Sequence, residues 1–241
     1  ARVHDEPALH RYAVNVMVSN DPATATGAPI IAEPLPSLSN LIGKVDHIST
    51  MGALVTDFTL VRSGALHRAN GGFLVLDAVR VLSEPFAWEA LKRSLETRTV
   101  RISSAAEMLS LISTSTLEPE PIPLQVRVVL VGDAMLHLLL TLYDPDFERL
   151  FKVGADFSPD MPRTAESAGL FARMVAGACK REGLRPVSRD GVAALVDIAA
   201  RAAEDQGRMS LRIGALWDLL READFLTASS GKPVIDAGQI A

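Results

Sequence analysis

An apolar strand that ends in a carboxylate is the first place in this sequence where chemistry is expected. Residues 73–76 form the apolar run FLVL, which is followed at once by Asp77 and preceded by the pair Gly71-Gly72. Active sites of α/β proteins collect at strand ends, because side chains there leave the sheet beside the ligand-binding crevice. A carboxylate in that position suits Mg²⁺ held next to nucleotide phosphates. Aspartate also ends many strands simply by stabilising a turn, so the pattern alone leaves both interpretations open.

Other catalytic signatures are absent from the sequence. The phosphate cradle G-x-x-x-x-G-K-[ST] does not occur, because Gly43-Lys44 lacks the upstream glycine and is followed by valine. The five histidines show no H-x-x-x-H spacing, and there is no G-x-S-x-G turn. If the protein binds a nucleotide, we expect the cradle to lie before Ala1 in a longer polypeptide.

The composition predicts a globular protein. Of the 241 residues, 48% are hydrophobic and 22% are charged, which suits one large domain or a domain of about 150 residues with a smaller companion. The net charge of -5 provides no basic field for nucleic acid. No apolar run reaches the roughly 18 residues of a membrane span. The single cysteine, Cys179, indicates a reducing, cytoplasmic location.

The N-terminus predicts that the chain is a piece of something longer. The segment ARVHDEPALHRY has no initiator methionine and lacks the charged-then-apolar profile of a signal peptide. We therefore expect it to be a cut end.

Segments rich in β-branched and aromatic residues are predicted as strands that position Asp77. They are residues 12–18, 73–77, 99–102, 126–131 and 153–157. The near-continuous run VRVVLV at 126–131 is typical of a strand covered on both faces. The proline-rich residues 29–36 are predicted as a loop.

Amphipathic patterns predict helices that pack on these strands. In the first part of the chain, Ser83 is a plausible cap and Pro85 suits a first helical turn; the predicted helices there are 84–95, 105–112 and 135–143. An alanine-rich part follows with helices at 164–182, 188–204 and 210–228, and with Asp236 capping a fourth. We therefore predict an α/β domain over residues 1–160 and a small all-helical domain over residues 161–241.

Taken together, the motifs resemble the ATPase-type module of archaeal-type Lon-like proteases, within the AAA+ superfamily. The resemblance covers nearly the whole chain and is carried by VNVMVSN, GAPII, NLIGKVDH, GALHRANGGFLVLDA, AWEALKRSL, PEPIPLQVRVVLVGD, DPDFERLFKVGADF and MSLRIGALWDLLREA. It implies a parallel sheet flanked by helices, followed by a helical lid, and it implies ATP and Mg²⁺ as cofactors of the intact protein.

The resemblance also implies roles for individual residues. Asp77 matches the Walker B aspartate that positions Mg²⁺, and Asp133 lies at the end of the sensor 1 strand. Arg149 matches the arginine finger that reaches the nucleotide of a neighbouring subunit, a task suited to a planar cation. Arg212 matches the sensor 2 arginine of the lid. Without the resemblance, ordinary surface ion pairing would account for both arginines.

Two departures from the family pattern concern hydrolysis. Ala78 stands where Walker B carries the glutamate that activates water, and a methyl group cannot accept a proton. The sensor 1 asparagine is also missing, with Met135 in the nearest aligned position and Asp133 two residues earlier. We therefore expect ATP hydrolysis by this module to be weak or absent.

Residues 49–58 correspond to the pore loop with which such rings grip an unfolding polypeptide. Met51, Leu54 and Val55 have apolar side chains that suit sequence-independent contact. A loop that packs against its own domain is an equally good interpretation of the sequence.

The leading hypothesis is the AAA+ module of a Lon-like ATP-dependent serine protease. The resemblance implies a hexamer that passes unfolded polypeptide to a C-terminal protease domain with a Ser-Lys dyad; no nucleic acid or membrane is expected as a partner. One alternative is a noncatalytic, ATP-independent scaffold that gates the protease chamber. A second is a different AAA+ branch, such as a transcription activator.

Overall fold

The computed structural model describes residues 12–19, 27–50, 53–103 and 117–240. The chain divides into two compact units, Ala1–Gly154 and Ala155–Ala241. Each unit has its own hydrophobic core, and the two cores share no residue.

The first unit is an α/β arrangement. Its described strands are β1 Ile30–Glu33, β2 Lys44–Val45, β3 Ile48–Thr50, β4 Ala53–Val55, β5 Val61–Arg62, β6 Phe73–Asp77, β7 Thr99–Val100, β8 Ile122–Pro123 and β9 Arg127–Val131. Its described helices are α1 Leu38–Ile42, α2 Ala65–Arg68, α3 Ala78–Ser83, α4 Ala87–Thr97, α5 Ala134–Tyr143 and α6 Phe147–Leu150, with a 3₁₀ turn at Phe58–Leu60. The predicted strand at Phe73–Asp77 is therefore confirmed.

A three-stranded parallel sheet lies at the centre of this unit, in the order β1-β6-β9. Leu74 and Leu76 of β6 are fully buried, and their register partners in β9, Val128 and Leu130, pack on the same core. Helices α1, α2 and α4 supply most of the rest of that core, including Leu41, Leu66, Trp88 and Leu91. Short antiparallel pairs, β2-β5, β3-β4 and β7-β8, complete the unit.

The opposite face of the sheet is open among the described residues. Ile30 is 72% exposed, Val129 43% and Val131 56%, and their side chains alternate with the buried ones. The outer edge of β9 pairs with no described strand. The described residues thus cover only one face of residues 126–131, whereas the sequence predicted cover on both, although their β-branched composition did predict the strand itself.

Three other strand assignments differ from the prediction. Residues 12–18 form no strand; instead, the side-chain amide of Asn15 donates to the carbonyls of Phe58 and Val61, each at 2.9 Å. Residues 153–157 also form no strand, and Val153 and Phe157 are almost fully exposed. Residues 30–33, predicted as loop, form β1 because the strand fits between the prolines. Strand propensity acts only where a neighbour supplies the ladder.

The helical region after Asp77 also differs from the prediction. Two helices, α3 and α4, replace the one predicted at 84–95. Neither Ser83 nor Pro85 opens α4; it begins after Phe86, whose left-handed φ of 63° turns the chain. The predicted helix at 105–112 lies outside the described residues.

The second unit is mainly helical. Its described elements are β10 Asp160–Pro162, α7 Ala165–Glu182, α8 Arg189–Ala202, β11 Arg208–Ser210, α9 Ile213–Ser229 and α10 Ala237–Ile240. Ser188 caps α8 by accepting from the Gly191 N–H at 3.1 Å, and Gly183 ends α7 in the left-handed conformation. None of the described helices of the chain is long and apolar enough to cross a membrane.

Candidate functional site

The two glycines before β6 set the position of the strand that ends in Asp77. Gly71 has a φ of 84°, which favours glycine. Gly72 has no room for a side chain, since a Cβ there would lie 2.0 Å from the Pro29 carbonyl oxygen. The next amide, that of Phe73, donates to the same carbonyl at 2.8 Å. The double glycine therefore allows β6 to pair closely with β1.

Asp77 is exposed at the carboxyl end of β6. Its Oδ1 accepts from the Arg80 N–H at 3.0 Å and so caps α3. Its Oδ2 accepts no hydrogen bond from a described residue. The same side chain thus stabilises the turn with one oxygen and leaves the other oxygen available.

Asp133 occupies the equivalent place after β9. Asp77 is in register with Val131, two residues before Asp133, so both carboxylates follow the carboxyl ends of adjacent parallel strands. Asp133 is exposed, and its Oδ1 caps α5 by accepting from the Leu136 N–H at 2.7 Å. The structure thus brings two of the predicted site residues to one edge of the sheet.

Ala78 lies between these two strand ends. It is 3% exposed, and a Cβ added to Gly132 would meet its Cβ at 3.3 Å. The backbone at Gly132 therefore leaves little space around Ala78. No described carboxylate lies there in place of the glutamate that Ala78 replaces in the family pattern.

Arg149 lies on α6, a single turn of helix held against α4. Asp144, just before α6, accepts from the Trp88 indole N–H at 2.6 Å and from the Lys92 ammonium at 3.0 Å. Burial raises the pKa of Asp144, but the hydrogen bonds from Trp88 and Lys92 outweigh it, so the pKa of this carboxyl is below its usual value. The rings of Phe147 and Phe151 stack with centroids 5.3 Å apart, and Phe151 stacks on Trp88 at 5.8 Å.

The guanidinium of Arg149 is exposed and paired within its own unit. Its Nη2 donates to Asp146 Oδ1 at 2.8 Å and to Glu96 Oε1. Sequence reasoning missed Glu96, Lys92 and Asp144. The signal that could have found the two α4 residues is the four-residue spacing of Trp88, Lys92 and Glu96, which places all three on one helix face.

The predicted pore loop is a β-hairpin. Strands β3 and β4 pair in antiparallel register, with Ile48 opposite Val55, and both of these side chains are about half exposed, at 54% and 52%. Met51 lies outside the described residues, and for Leu54 only the backbone is described, within β4. The role of these residues as a pore loop stays a prediction.

Arg212 lies in the second unit, directly before α9. It is exposed, and its backbone N–H donates to Ser210 Oγ at 3.2 Å. Its side chain forms no ion pair with a described residue. The role assigned to it from the sequence stays a prediction.

The site has one carboxylate oxygen that fits a Mg-nucleotide complex, and it has no complete set of protein ligands for a metal among the described residues. No three described histidine, cysteine or acidic side chains form a metal cage. Mg²⁺ does not need one, because it usually keeps several waters and binds one or two carboxylates plus substrate phosphates. Asp77 Oδ2, which accepts no hydrogen bond from a described residue, is an oxygen of the type that such a site uses.

Solved structures share the fold of this chain. Three structures of NtrX from Brucella abortus, one in complex with ATP and another with ADP, match at TM-scores of 0.53, 0.55 and 0.55, with 14–16% identity. Each match covers 89% of this chain and 42–44% of the other. At this identity the likeness concerns the fold alone. The parallel sheet flanked by helices, with the helical unit after it, is the α/β fold that the sequence predicted.

The family follows from the sequence comparisons. A family model for the LonB-like AAA domain matches residues 26–158, and one for the archaeal LonB AAA+ ATPase lid domain matches residues 186–241. This chain belongs to the LonB-like AAA family. Archaeal Lon proteases from Pyrococcus abyssi and Thermococcus kodakarensis are each 26% identical to it, over 81% and 73% of the chain. The chain spans only 19% and 27% of the length of those relatives.

Proposed function

We propose that this chain is the nucleotide-binding module of a Lon-like ATP-dependent protease. The observation that carries the proposal is the placement of Asp77 and Asp133 at the carboxyl ends of adjacent parallel strands, where α/β proteins bind ligands. Asp77 would hold Mg²⁺ through Oδ2, and the metal would neutralise charge on the β and γ phosphates. Asp133 would face the same phosphates from the next strand.

The rest of the nucleotide site belongs beside β9. The outer edge of β9, which pairs with no described strand, offers a ladder to another parallel strand, and the exposed Val129 and Val131 offer it an apolar face. On this proposal, polypeptide of the intact protein outside these 241 residues supplies that strand together with the phosphate cradle. The partial coverage of the archaeal relatives supports a longer protein.

The intact protein would pass unfolded polypeptide to a separate protease domain with a Ser-Lys dyad. The exposed hairpin β3-β4, with Ile48 and Val55 on its surface, supports contact with an extended chain of any sequence. A hexameric ring in the cytoplasm is the assembly we propose, with Arg149 reaching the nucleotide of the neighbouring subunit and Arg212 reaching it from the lid. The likeness to archaeal Lon proteases supports the protease and does not favour another AAA+ branch.

Nucleotide hydrolysis by the module would be slow, because Ala78 cannot act as a base. The burial of Ala78 against Gly132 also favours the second candidate function, a scaffold that gates the protease chamber without using ATP. The two candidates differ in whether proteolysis responds to nucleotide.

The test is an Ala78→Glu replacement in the intact protein, with ATPase rate and casein degradation measured with and without ATP. If the missing base limits hydrolysis, the glutamate should raise the ATPase rate by about 100-fold or more. The larger side chain should lower the free energy of unfolding by about 1–3 kcal/mol, because the site around Ala78 is packed.

Ala78→Gln is the matched control, because it has the same size and no base. It should leave the ATPase rate at the parent value. Casein degradation that ignores ATP in every variant would exclude the ATP-driven protease and support the scaffold.

A further inference from the structure

Helix α4 holds residues 144–151 with more side-chain contacts than a one-turn helix on the surface needs. One face of α4 presents Trp88, Lys92 and Glu96 at intervals of four residues, and all three contact this segment. Two of them fasten its first residue, Asp144. The third, Glu96, contacts Arg149.

The first two contacts fix the backbone that carries Arg149. Lys92 and Asp144 are nearly buried, with side chains 11% and 12% exposed, and an ion pair in such a place is costly to break. Phe147 is 5% exposed and anchors the same turn in the core. A one-turn helix is not stable by itself, so these contacts determine where it lies.

Glu96 fixes the end of the side chain. Arginine offers five N–H donors, and the two contacts to Glu96 and Asp146 both use Nη2. The N–H groups on Nε and Nη1 donate to no described residue. The side chain of Arg149 is 57% exposed, so these remaining donors are open to an external anion.

We propose that Glu96 is a positioning residue for Arg149. Together with Asp146, it holds Nη2 so that the Nε and Nη1 donors meet a terminal phosphate bound by a second copy of this chain. Without Glu96, the long side chain would sample many rotamers and lose entropy on binding the phosphate. This inference rests on the proposed function, because it requires a nucleotide at the subunit boundary.

The experiment is an equilibrium titration of the intact, assembled protein with a non-hydrolysable fluorescent ATP analogue and with fluorescent ADP. The variants are Arg149→Ala, Glu96→Ala and the double replacement. We expect Arg149→Ala to weaken ATP-analogue binding by about tenfold and Glu96→Ala by about threefold to fivefold, with ADP binding unchanged. In the Arg149→Ala background, Glu96→Ala should have no further effect.

Glu89→Ala is the matched control, because it removes a negative charge from the same helix. Glu89 is 64% exposed and pairs with Lys92 instead of Arg149. Its loss should leave ATP-analogue binding unchanged. Glu96→Gln, which keeps a hydrogen-bond acceptor, should lose less affinity than Glu96→Ala, and the melting temperature of each variant shows whether it is folded.

Each negative result of this titration leads to a different conclusion. Parent protein that binds neither nucleotide overturns the proposed function and this inference with it. If Arg149→Ala weakens binding while Glu96→Ala does not, the proposed function stands and the positioning role falls. Tighter binding by Glu96→Ala would also overturn it, since the carboxylate would then compete with phosphate for Arg149.

Discussion

At the scale of single residues, the candidate site uses aspartates for two purposes at once. Asp77 and Asp133 each cap a helix with Oδ1, and the Oδ2 of each accepts no hydrogen bond from a described residue. The structural interpretation of an aspartate at a strand end and the functional one therefore do not compete. Replacing either residue would disturb a helix start as well as a ligand site, so loss of activity alone cannot prove a catalytic role.

His67 has a similarly constrained position in α2. It is 5% exposed, and its Nδ1 accepts from the Gly64 N–H at 3.1 Å, which leaves the proton on Nε2. That atom is buried and has no hydrogen-bond partner among the residues that the structure describes. Burial lowers the pKa of His67, and the neighbouring Arg68 lowers it further.

This lowered pKa predicts acid sensitivity. The unfolded chain binds the proton more readily than the folded one, so the stabilisation is fully present above pH 6.5, the ordinary value, and is lost as the pH falls towards the lowered pKa. The loss should approach about 1.4 kcal/mol per pH unit in that window. Denaturant unfolding at several pH values measures it.

His67→Asn separates this effect from other titrations, because the Asn oxygen can replace Nδ1 as an acceptor but does not titrate. The variant should lose less stability between about pH 6.5 and about pH 5 than the parent. Equal losses in both proteins would show that His67 is not the sensitive group.

At the scale of elements, the close pairing of β1 and β6 is determined by Gly72. The sequence predicted β6 and its terminal Asp77 because an apolar run, a glycine pair and a carboxylate coincide there. It did not predict β1, since the prolines around residues 30–33 resemble a loop and the strand is recognised only through its partner. Likewise, the helix break at Phe86 is invisible in an amphipathic pattern that counts apolar spacing alone.

Gly72→Ala should therefore displace β1 from β6. The added Cβ would collide with the Pro29 carbonyl, a backbone atom that cannot rotate away. We expect a loss of about 2–3 kcal/mol in the free energy of unfolding, measured by denaturant unfolding. Gly27→Ala, where the space is open, should change it by less than about 0.5 kcal/mol.

The sequence predicted some residues of the candidate site but not others. It placed Asp77 and Asp133 at strand ends because strands and their ends leave a local pattern. It missed Glu96 and Asp144, because their roles depend on α4 meeting a segment about 50 residues later in the chain; the four-residue spacing of Trp88, Lys92 and Glu96 marks one face of α4 without identifying what packs on it. In the sequence, a contact of that kind appears only as regularly spaced residues on one helix face, and the segment that packs on that face is not apparent.

At the scale of the whole molecule, the two separate cores indicate two folding units. The second core is built from large buried side chains of its own, including Phe171, Leu195, Met209, Leu220 and Ile235. Residues 155–241 should therefore fold without the first unit, with a cooperative thermal transition in circular dichroism. A gradual, non-cooperative melt would contradict this.

Paired variants of that fragment check which side chains sustain its core. Leu220→Ala should cost about 2–5 kcal/mol, because Leu220 is fully buried. Leu226→Ala, at a position that is 46% exposed, should cost much less.

The second core also contains Cys179, the single cysteine of the chain. It is buried, and burial, with smaller contributions from Asp224 and Glu182, raises the pKa of its thiol. A thiol reagent can react at an appreciable rate only when that core opens. The native protein therefore carries its own kinetic probe: the labelling rate of Cys179 measures how often the core of the second unit opens, without any engineered label.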